Sequence, residues 1–139
     1  MWHTIIIVGN LGRDPEMRYT PSGQAVTSFS VATSHNYTGS NGQLVKETIW
    51  FRVSAWGKQA ETCSQYLKKG SKVLVEGRMQ ADANGGPRTF QRKDGTTGAS
   101  FEVTANTVRF LSSKSEGGGP GEEVGVSGGV SEGGDEIPF

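Results

Sequence analysis

The sequence of 139 residues has one cysteine, two histidines and no long hydrophobic segment. The single cysteine, Cys63, cannot form an intramolecular disulfide or supply the several thiolates of a structural zinc site. No apolar run approaches the ~20 residues that a membrane-spanning helix needs, and the N-terminus lacks the pattern of a signal peptide. We therefore expect a soluble, cytoplasmic protein that has no metal site and no cofactor.

The chain also lacks a net charge, but its charges are segregated. All fourteen lysine and arginine residues lie between Arg13 and Lys114, where only eight acidic residues accompany them, so residues 1–115 carry a net charge of +6. The six remaining acidic residues give residues 116–139 a charge of −6. A basic body with an acidic end is a charge asymmetry typical of nucleic-acid-binding proteins.

Residues 113–139 have the composition of a disordered tail, because nine of the 24 residues from Glu116 onward are glycine and six are acidic. We predict one folded domain, residues 1–112, followed by this tail. The last five residues differ from an ordinary linker, since two acids precede three apolar residues: Asp135, Glu136, Ile137, Pro138 and Phe139. Apolar anchors beside charges predict a peptide that docks into the basic-rimmed pocket of a partner protein.

The clearest secondary-structure pattern is the alternation from Thr48 to Trp56, which has the period of a β-strand. One face carries Trp50 and Trp56 on either side of Arg52, and the other face is apolar throughout: Ile49, Phe51, Val53 and Ala55. Flat aromatic rings beside a guanidinium suit unpaired nucleic-acid bases, which stack on the rings while the cation attracts phosphate. The tryptophans could equally fill a second core or a subunit interface. This strand alone leaves the alternatives open.

Four more segments have strand patterns: residues 1–11, Ala25–Tyr37, Lys72–Gln80 and Ala99–Leu111. The first is apolar on both faces at Ile5–Val8, which predicts that its outer side is covered, for instance by another subunit. In the last, the apolar residues change parity between Ala105 and Val108, which predicts a β-bulge.

One short helix is predicted after Gly57 from an apolar stripe at helical spacing: Ala60, Cys63 and Leu67. We expect Lys68 and Lys69 to lie in its last turn and Gly70 to cap it, because cations and a left-handed glycine are favoured at helix C-termini.

Between the fourth and fifth strands lies a long polar segment, Ala81–Gly98, which we interpret as a mobile hairpin. It contains one aromatic residue, Phe90, among three cations: Arg88, Arg92 and Lys93. These neighbouring cations favour base stacking by Phe90. A lone phenylalanine in a loop also commonly packs back on the protein body, so both interpretations stay open.

Several motifs follow one another as they do in bacterial single-stranded DNA-binding proteins. They are Val8-Gly9-Asn10-Leu11-Gly12, Asp14-Pro15-Glu16, Arg18-Tyr19, Ala32-Thr33-Ser34, Trp50-Phe51-Arg52-Val53, Gly57-Lys58, Tyr66-Leu67-Lys68-Lys69-Gly70, Val75-Glu76-Gly77 and the five terminal residues. The sequence resembles this family from end to end. The resemblance, and the order of five strands with one helix between strands 3 and 4, imply an all-β OB barrel with a disordered, acidic, glycine-rich tail.

The resemblance also implies which residues contact DNA. The family's stacking positions correspond to four aromatic residues: Trp50, Trp56, Tyr37 and Phe90. The cations that we expect beside the phosphates are Arg52, Lys58, Arg88, Arg92 and Lys93.

A further implication concerns assembly and partners. Proteins of this family wrap single strands as homotetramers, so we expect the strand at Ile5–Val8 to lie in a subunit contact. The tail would recruit enzymes of replication, recombination and repair, and the protein would be associated with a bacterial nucleoid.

Two other classes of protein share some of these features. A nucleic-acid enzyme would need clustered carboxylates or a nucleophile with a general base. The acids of the body are scattered, and His3 and His35 have no evident partners, so we expect no catalytic residue. A primosomal restart protein or an RNA-binding cold-shock-like barrel would have the same fold. The acidic tail argues against the first, whereas stacking alone does not separate RNA from DNA.

Overall fold

The structure, a computed structural model, describes residues 1–112. In chain order, its elements are β1 (Ile5–Leu11), β2 (Glu16–Tyr19), β3 (Ala25–Thr38), β4 (Leu44–Trp56), α1 (Lys58–Tyr66), β5 (Lys72–Met79), β6 (Arg88–Gln91) and β7 (Thr97–Phe110). The predicted tail, with its terminal docking peptide, lies outside the described residues.

The five long strands close into a barrel. Antiparallel pairs join β1 to β5, β5 to β7, β4 to β3 and β3 back to β1, and the parallel pair of β4 and β7 completes the ring. The short strand β2 pairs with the first four residues of β3, and β6 pairs with the beginning of β7 to form an arm. Since α1 lies between the third and fourth barrel strands, the predicted all-β, five-stranded OB barrel with one short helix is confirmed.

The barrel interior is filled by small and branched side chains at alternating strand positions, as the period-two patterns predict. Its buried cluster comprises Ile7, Leu11, Phe29, Val31, Val53, Ala55, Val73, Val75, Val103 and Ala105, with Cys63 and Leu67 from the helical segment. The predicted helix stripe is confirmed, since Ala60 is also fully buried.

The helix ends earlier than predicted. Tyr66 is its last residue, Leu67 is already extended, and neither Lys68 nor Lys69 lies in the last turn. Leu67 is buried in the core all the same, at 6% exposed. Gly70 therefore does not cap the helix, and its N–H donates instead to the carbonyl of Leu11 at 2.9 Å, with a φ of +87° in the turn before β5.

A β-bulge lies where the parity change in β7 predicts it. Glu76 pairs with Thr107 and Gly77 pairs with Ala105, so Asn106 has no partner residue on β5. The bulge brings β7 close to Gly77, and a Cβ atom there would collide with the carbonyl oxygen of Thr104. The backbone can approach this closely only because position 77 is glycine.

We therefore expect Gly77→Ala to destabilise the barrel by about 2 kcal/mol, because the added methyl group must displace backbone rather than a flexible side chain. Gly86→Ala is the matched control, since a Cβ atom there would meet only Asp82 Oδ1 at 3.8 Å. Urea unfolding of both variants measures the difference. Equal stabilities of the two variants would show that β5 and β7 can move apart at Gly77 without a loss in the free energy of unfolding.

Burial of Cys63 in the core raises the pKa of its thiol from 9.0 to about 11. The thiol therefore ionises at a lower pH in the unfolded chain than in the folded one. As a result, the folded state loses stability as the pH rises from about 9 to 11. We expect Cys63→Ala to remove this part of the pH dependence, as measured by urea unfolding at pH 8 to 11. Identical slopes for the two proteins would contradict the assignment to Cys63.

Candidate nucleic-acid interface

Polar side chains form rows across the outer face of β3, β4 and β7. Ser30 pairs with Arg52, and Arg52 pairs with Glu102. The neighbouring row runs from Ser28 through Ser54 to Thr104 in the same way. Paired residues on adjacent strands project to the same side. The core residues occupy the alternate positions, so these rows face outward.

Three aromatic side chains stand around these rows. Trp50, Trp56 and Phe90 line a groove of about 690 Å³ together with the guanidinium groups of Arg52 and Arg88. The three aromatic residues are 53%, 37% and 48% exposed, so they do not fill a second core within the described residues. Base stacking and a subunit interface remain as interpretations of the two tryptophans.

Two of these rings lie close to glycines. A Cβ atom on Gly12 would lie 2.5 Å from the six-membered ring of Trp50, and one on Gly98 would lie 2.7 Å from the ring of Phe90. Gly98 is also the β7 residue that pairs with Phe90 on β6. The glycines therefore leave room for the edge of each ring to approach the backbone, while about half of each side chain stays exposed.

Glu102 places a carboxylate on the floor of the groove. The residue is 8% exposed, and its Oε2 atom lies 3.0 Å from Arg88 Nε. This is the one ion pair among the side chains of residues 1–112. The contact is close but poorly directed, since Oε2 accepts no hydrogen bond of normal geometry from the described residues. The Arg88 guanidinium thus neutralises a buried acid, although its own side chain is 61% exposed.

The arm formed by β6 and β7 carries two of the other predicted cations, Arg92 and Lys93. The Arg92 guanidinium lies 5.7 Å from the centroid of the Phe90 ring, and its Nη1 atom donates to the Thr97 carbonyl at 3.1 Å. The predicted hairpin is thus present, with Arg92 bound to its aromatic residue rather than lining the groove. Lys93, in the turn of the hairpin, and Lys58, at the start of α1, also lie outside the groove lining.

Tyr37 is the predicted stacking residue that the structure separates from the others. The register of β3 and β4 is unbroken from Val26 to Thr38, so Tyr37 has the parity of the core residue Phe29. Trp50 pairs with Ala32, which has the opposite parity. Tyr37 therefore lies on the other face of the hairpin, 45% exposed, with its ring stacked on His35 at 5.8 Å.

Sequence reasoning missed three functional groups that line the groove: Arg18, Gln80 and Glu102. Arg18 comes from β2, where it pairs with Val26, which in turn pairs with Trp56. The motif Arg18-Tyr19 was a signal for Arg18. No local pattern marked Gln80 or Glu102, because only the strand pairing brings them beside Arg52.

Two further findings concern residues 1–112. No group of three or more His, Cys, Asp or Glu side chains in this range is placed to hold a metal ion. None of the helical structure there is long and apolar enough to cross a membrane. The histidines have structural contacts, since His3 Nε2 accepts a hydrogen bond from the Met79 N–H at 3.1 Å and His35 stacks on Tyr37.

A closed five-stranded barrel whose outer groove holds exposed aromatic rings and guanidinium groups defines a barrel of the oligonucleotide-binding class. The sequence model described as "Single-strand binding protein family" matches residues 2–111. The chain therefore belongs to the single-strand binding protein family.

Individual relatives give the same result. The single-stranded DNA-binding protein of Neisseria meningitidis is 45% identical over 121 residues, which are 86% of this chain and 66% of that protein. Single-stranded DNA-binding protein 1 of Chlorobaculum tepidum is 43% identical over 115 residues, or 83% and 68% of the two chains. The chain thus spans just under two thirds of the length of its Neisseria relative.

The fold is also similar to a solved structure. A crystal structure of a deletion mutant of the single-stranded DNA binding protein from Thermus aquaticus superimposes with a TM-score of 0.61 at 28% sequence identity. The match covers 80% of this chain and 51% of that chain.

Proposed function

We propose that this protein binds single-stranded DNA without sequence preference and protects it during replication, recombination and repair. The observation that carries this proposal is the convergence of Trp50, Trp56 and Phe90 with Arg52 and Arg88 on one groove. Membership of the single-strand binding protein family supports it.

Binding would combine two physical effects. Guanidinium groups in the groove attract the phosphate backbone and release its counterions, so affinity falls as salt rises. Exposed rings then stack on successive bases, and because every base has a π-face the stacking is indifferent to sequence. Neither step makes or breaks a covalent bond. We accordingly propose a binding protein without catalytic residues or a cofactor.

The strand β1 supports assembly into a homotetramer. Ile6 is 63% exposed on its outer face, and Val8, two residues on, is only partly buried. Val8 pairs with the partly buried Leu74 of β5, which widens this apolar surface. A second copy of the chain would cover it, as the doubly apolar segment Ile5–Val8 predicts.

The predicted tail is the part of the chain that would bind partner proteins. Residues 135–139 would dock enzymes of replication, recombination and repair, while residues 1–112 hold DNA in the cytoplasm of a bacterium, at its nucleoid. Deleting Phe139 should therefore weaken capture of such an enzyme, because the docking peptide loses its terminal ring, and should leave affinity for oligo(dT) unchanged. Pull-down and DNA titration measure the two effects. Undiminished capture would contradict the docking role.

Titration of the intrinsic tryptophan fluorescence with oligo(dT), at low and high salt, tests the DNA-binding proposal. We expect quenching that saturates and that needs more DNA at high salt, because the groove places tryptophans against bases and cations against phosphates. Folded protein that shows neither quenching nor binding would refute it. Competition with RNA of matched sequence tests the RNA-binding alternative, and tighter binding of RNA would favour that class.

A further inference from the structure

The floor of the groove continues across β5. Gln80 lines the groove, and its N–H donates to the carbonyl of Glu102 at 2.7 Å, which places it next to Glu102 in the row that begins at Ser30. In the adjacent row, Thr104 pairs with Arg78. Arg78 and Gln80 therefore lie on the same outward face as Arg52.

The N-terminal segment runs along the other side of β5. Ile5 pairs with Gly77, and Thr4 Oγ1 donates to the Gly77 carbonyl at 3.1 Å. One residue earlier, His3 Nε2 accepts the Met79 N–H. The β1–β5 ladder itself ends at Ile5, and these two side-chain contacts hold the preceding residues against the end of β5. The next residue of the segment, Trp2, is therefore near the end of β5, where Gln80 follows.

Trp2 and Arg78 repeat the chemistry of the groove. Trp2 is 79% exposed, which for an aromatic residue of this size leaves most of the ring without a partner within residues 1–112. Arg78 is exposed, and its guanidinium forms no ion pair with the described residues. An exposed ring beside a free cation is the same combination as Trp50 beside Arg52.

We propose that Trp2 and Arg78 form an additional DNA-contact patch, which extends the path of the single strand from the groove across Gln80 to the N-terminal segment. The inference rests on the proposed binding of single-stranded DNA. Strands β7 and β5 lie between Arg52 and the N-terminal segment, and adjacent strands are about 5 Å apart, so Trp2 is at least roughly 10 Å from Arg52. A short oligonucleotide seated between Trp50 and Trp56 does not reach it. A longer strand covers both.

A protein with one tryptophan tests the contact directly. Trp50→Phe combined with Trp56→Phe leaves Trp2 as the only tryptophan and keeps aromatic rings in the groove. Long oligo(dT) should quench the Trp2 fluorescence with the same saturation point as the anisotropy of a fluorescein-labelled oligonucleotide. Unchanged Trp2 fluorescence while the anisotropy reports binding would overturn the proposal.

Affinity as a function of oligonucleotide length provides the second test. Trp2→Ala should weaken the binding of long oligo(dT) roughly tenfold. It should not change the affinity for the shortest oligonucleotide that saturates the groove. Trp2→Phe should restore the affinity for long oligo(dT). Arg78→Ala should lower the slope of log K against log salt by about 0.7 for the long oligonucleotide alone. Tyr19→Ala is the control, because Tyr19 is 62% exposed but does not line the groove.

The same experiments separate this patch from the alternatives. If Trp2→Ala instead dissociates the assembly in sedimentation, and weakens short and long oligonucleotides equally, Trp2 is a subunit contact and the proposal is wrong. If the natural protein binds long oligo(dT) and Trp2→Ala binds it equally well, only this extension fails. A natural protein that binds neither length would overturn the proposed function together with the patch.

Discussion

Replacing Trp50 and Trp56 together by alanine should weaken the binding of oligo(dT) by about 2–6 kcal/mol. Single-strand binding proteins of this barrel class lose roughly 1–3 kcal/mol for each stacked base whose aromatic partner is removed. Both tryptophans line the groove and are at least one third exposed, so each ring is accessible to a ligand. They are six residues apart on β4, or about 20 Å. Residues this far apart contribute additively, so we expect the double variant to lose the sum of the two single effects.

The anisotropy of a fluorescein-labelled oligonucleotide measures this loss without relying on the tryptophans that have been removed. Trp50→Phe combined with Trp56→Phe is the matched control, because phenylalanine keeps a π-face at each position while reducing its area. We expect it to bind much more tightly than the double alanine variant. Circular dichroism and urea unfolding show whether the variants keep their fold. Normal affinity in a folded double alanine variant would assign the tryptophans to a subunit interface.

The fold could be predicted because local patterns specify it. The alternation around Phe51 and Val53 predicted a strand with one buried face, and Val53 is fully buried in the barrel. The parity change before Val108 predicted the bulge opposite Gly77. Both features depend on the periodicity of side chains along one segment, which the sequence displays directly.

The end of the helix was predicted incorrectly for an energetic reason. Local rules favour Lys68, Lys69 and Gly70 at a helix C-terminus, but these preferences amount to a few tenths of a kcal/mol to about 1 kcal/mol each. Hydrogen bonds to groups outside the helix compete with them, since the Lys69 N–H donates to Asp14 Oδ1 at 2.8 Å and the Gly70 N–H donates to the Leu11 carbonyl at 2.9 Å. Each contributes about 1 kcal/mol or more, and together they hold residues 69 and 70 beside the end of β1 instead of in a helix, which ends at Tyr66.

The groove was predicted only in part, because it is assembled across strands. Trp50, Arg52 and Trp56 share one face of a single strand, so their proximity follows from local alternation. Glu102 and Gln80 reach the same place through the parallel pairing of β4 with β7 and the antiparallel pairing of β7 with β5. Such long-range register is not visible in any one segment.

Tyr37 shows how one residue of register changes a predicted site. A bulge in the β3–β4 hairpin would have moved its ring to the face of Trp50. The register has no bulge, and Tyr37 pairs with Val45 on the opposite face. A DNA strand that contacts the rings of both Tyr37 and Trp50 must therefore pass around the β3–β4 hairpin. Base stacking by Tyr37 stays a prediction.

Arg88→Ala should lower the free energy of unfolding by about 2 kcal/mol, because it leaves the largely buried Glu102 carboxylate without its ion-pair partner. Breaking a buried pair by removing one partner costs roughly 3–5 kcal/mol. We expect a smaller cost here, since the Arg88 side chain is 61% exposed and water can reach Glu102 when it is removed. The loss should largely disappear when Glu102→Gln is added to Arg88→Ala, because a neutral amide is less costly to bury. Urea unfolding of the two single variants and the double variant measures this coupling, and additive effects would show that the two groups do not interact.

Glu102→Gln alone should strengthen the binding of DNA. The substitution removes an acid from the groove and frees the Arg88 guanidinium for phosphate, so affinity for oligo(dT) should rise and the slope of log K against log salt should steepen by about 0.7. Glu61→Gln is the matched control, since this exposed acid on α1 does not line the groove. If Glu102→Gln weakens binding instead, the carboxylate acts by holding Arg88 and the β6 arm in position. The groove would then depend on the ion pair for its shape, and its affinity would not be limited by the charge that Glu102 carries.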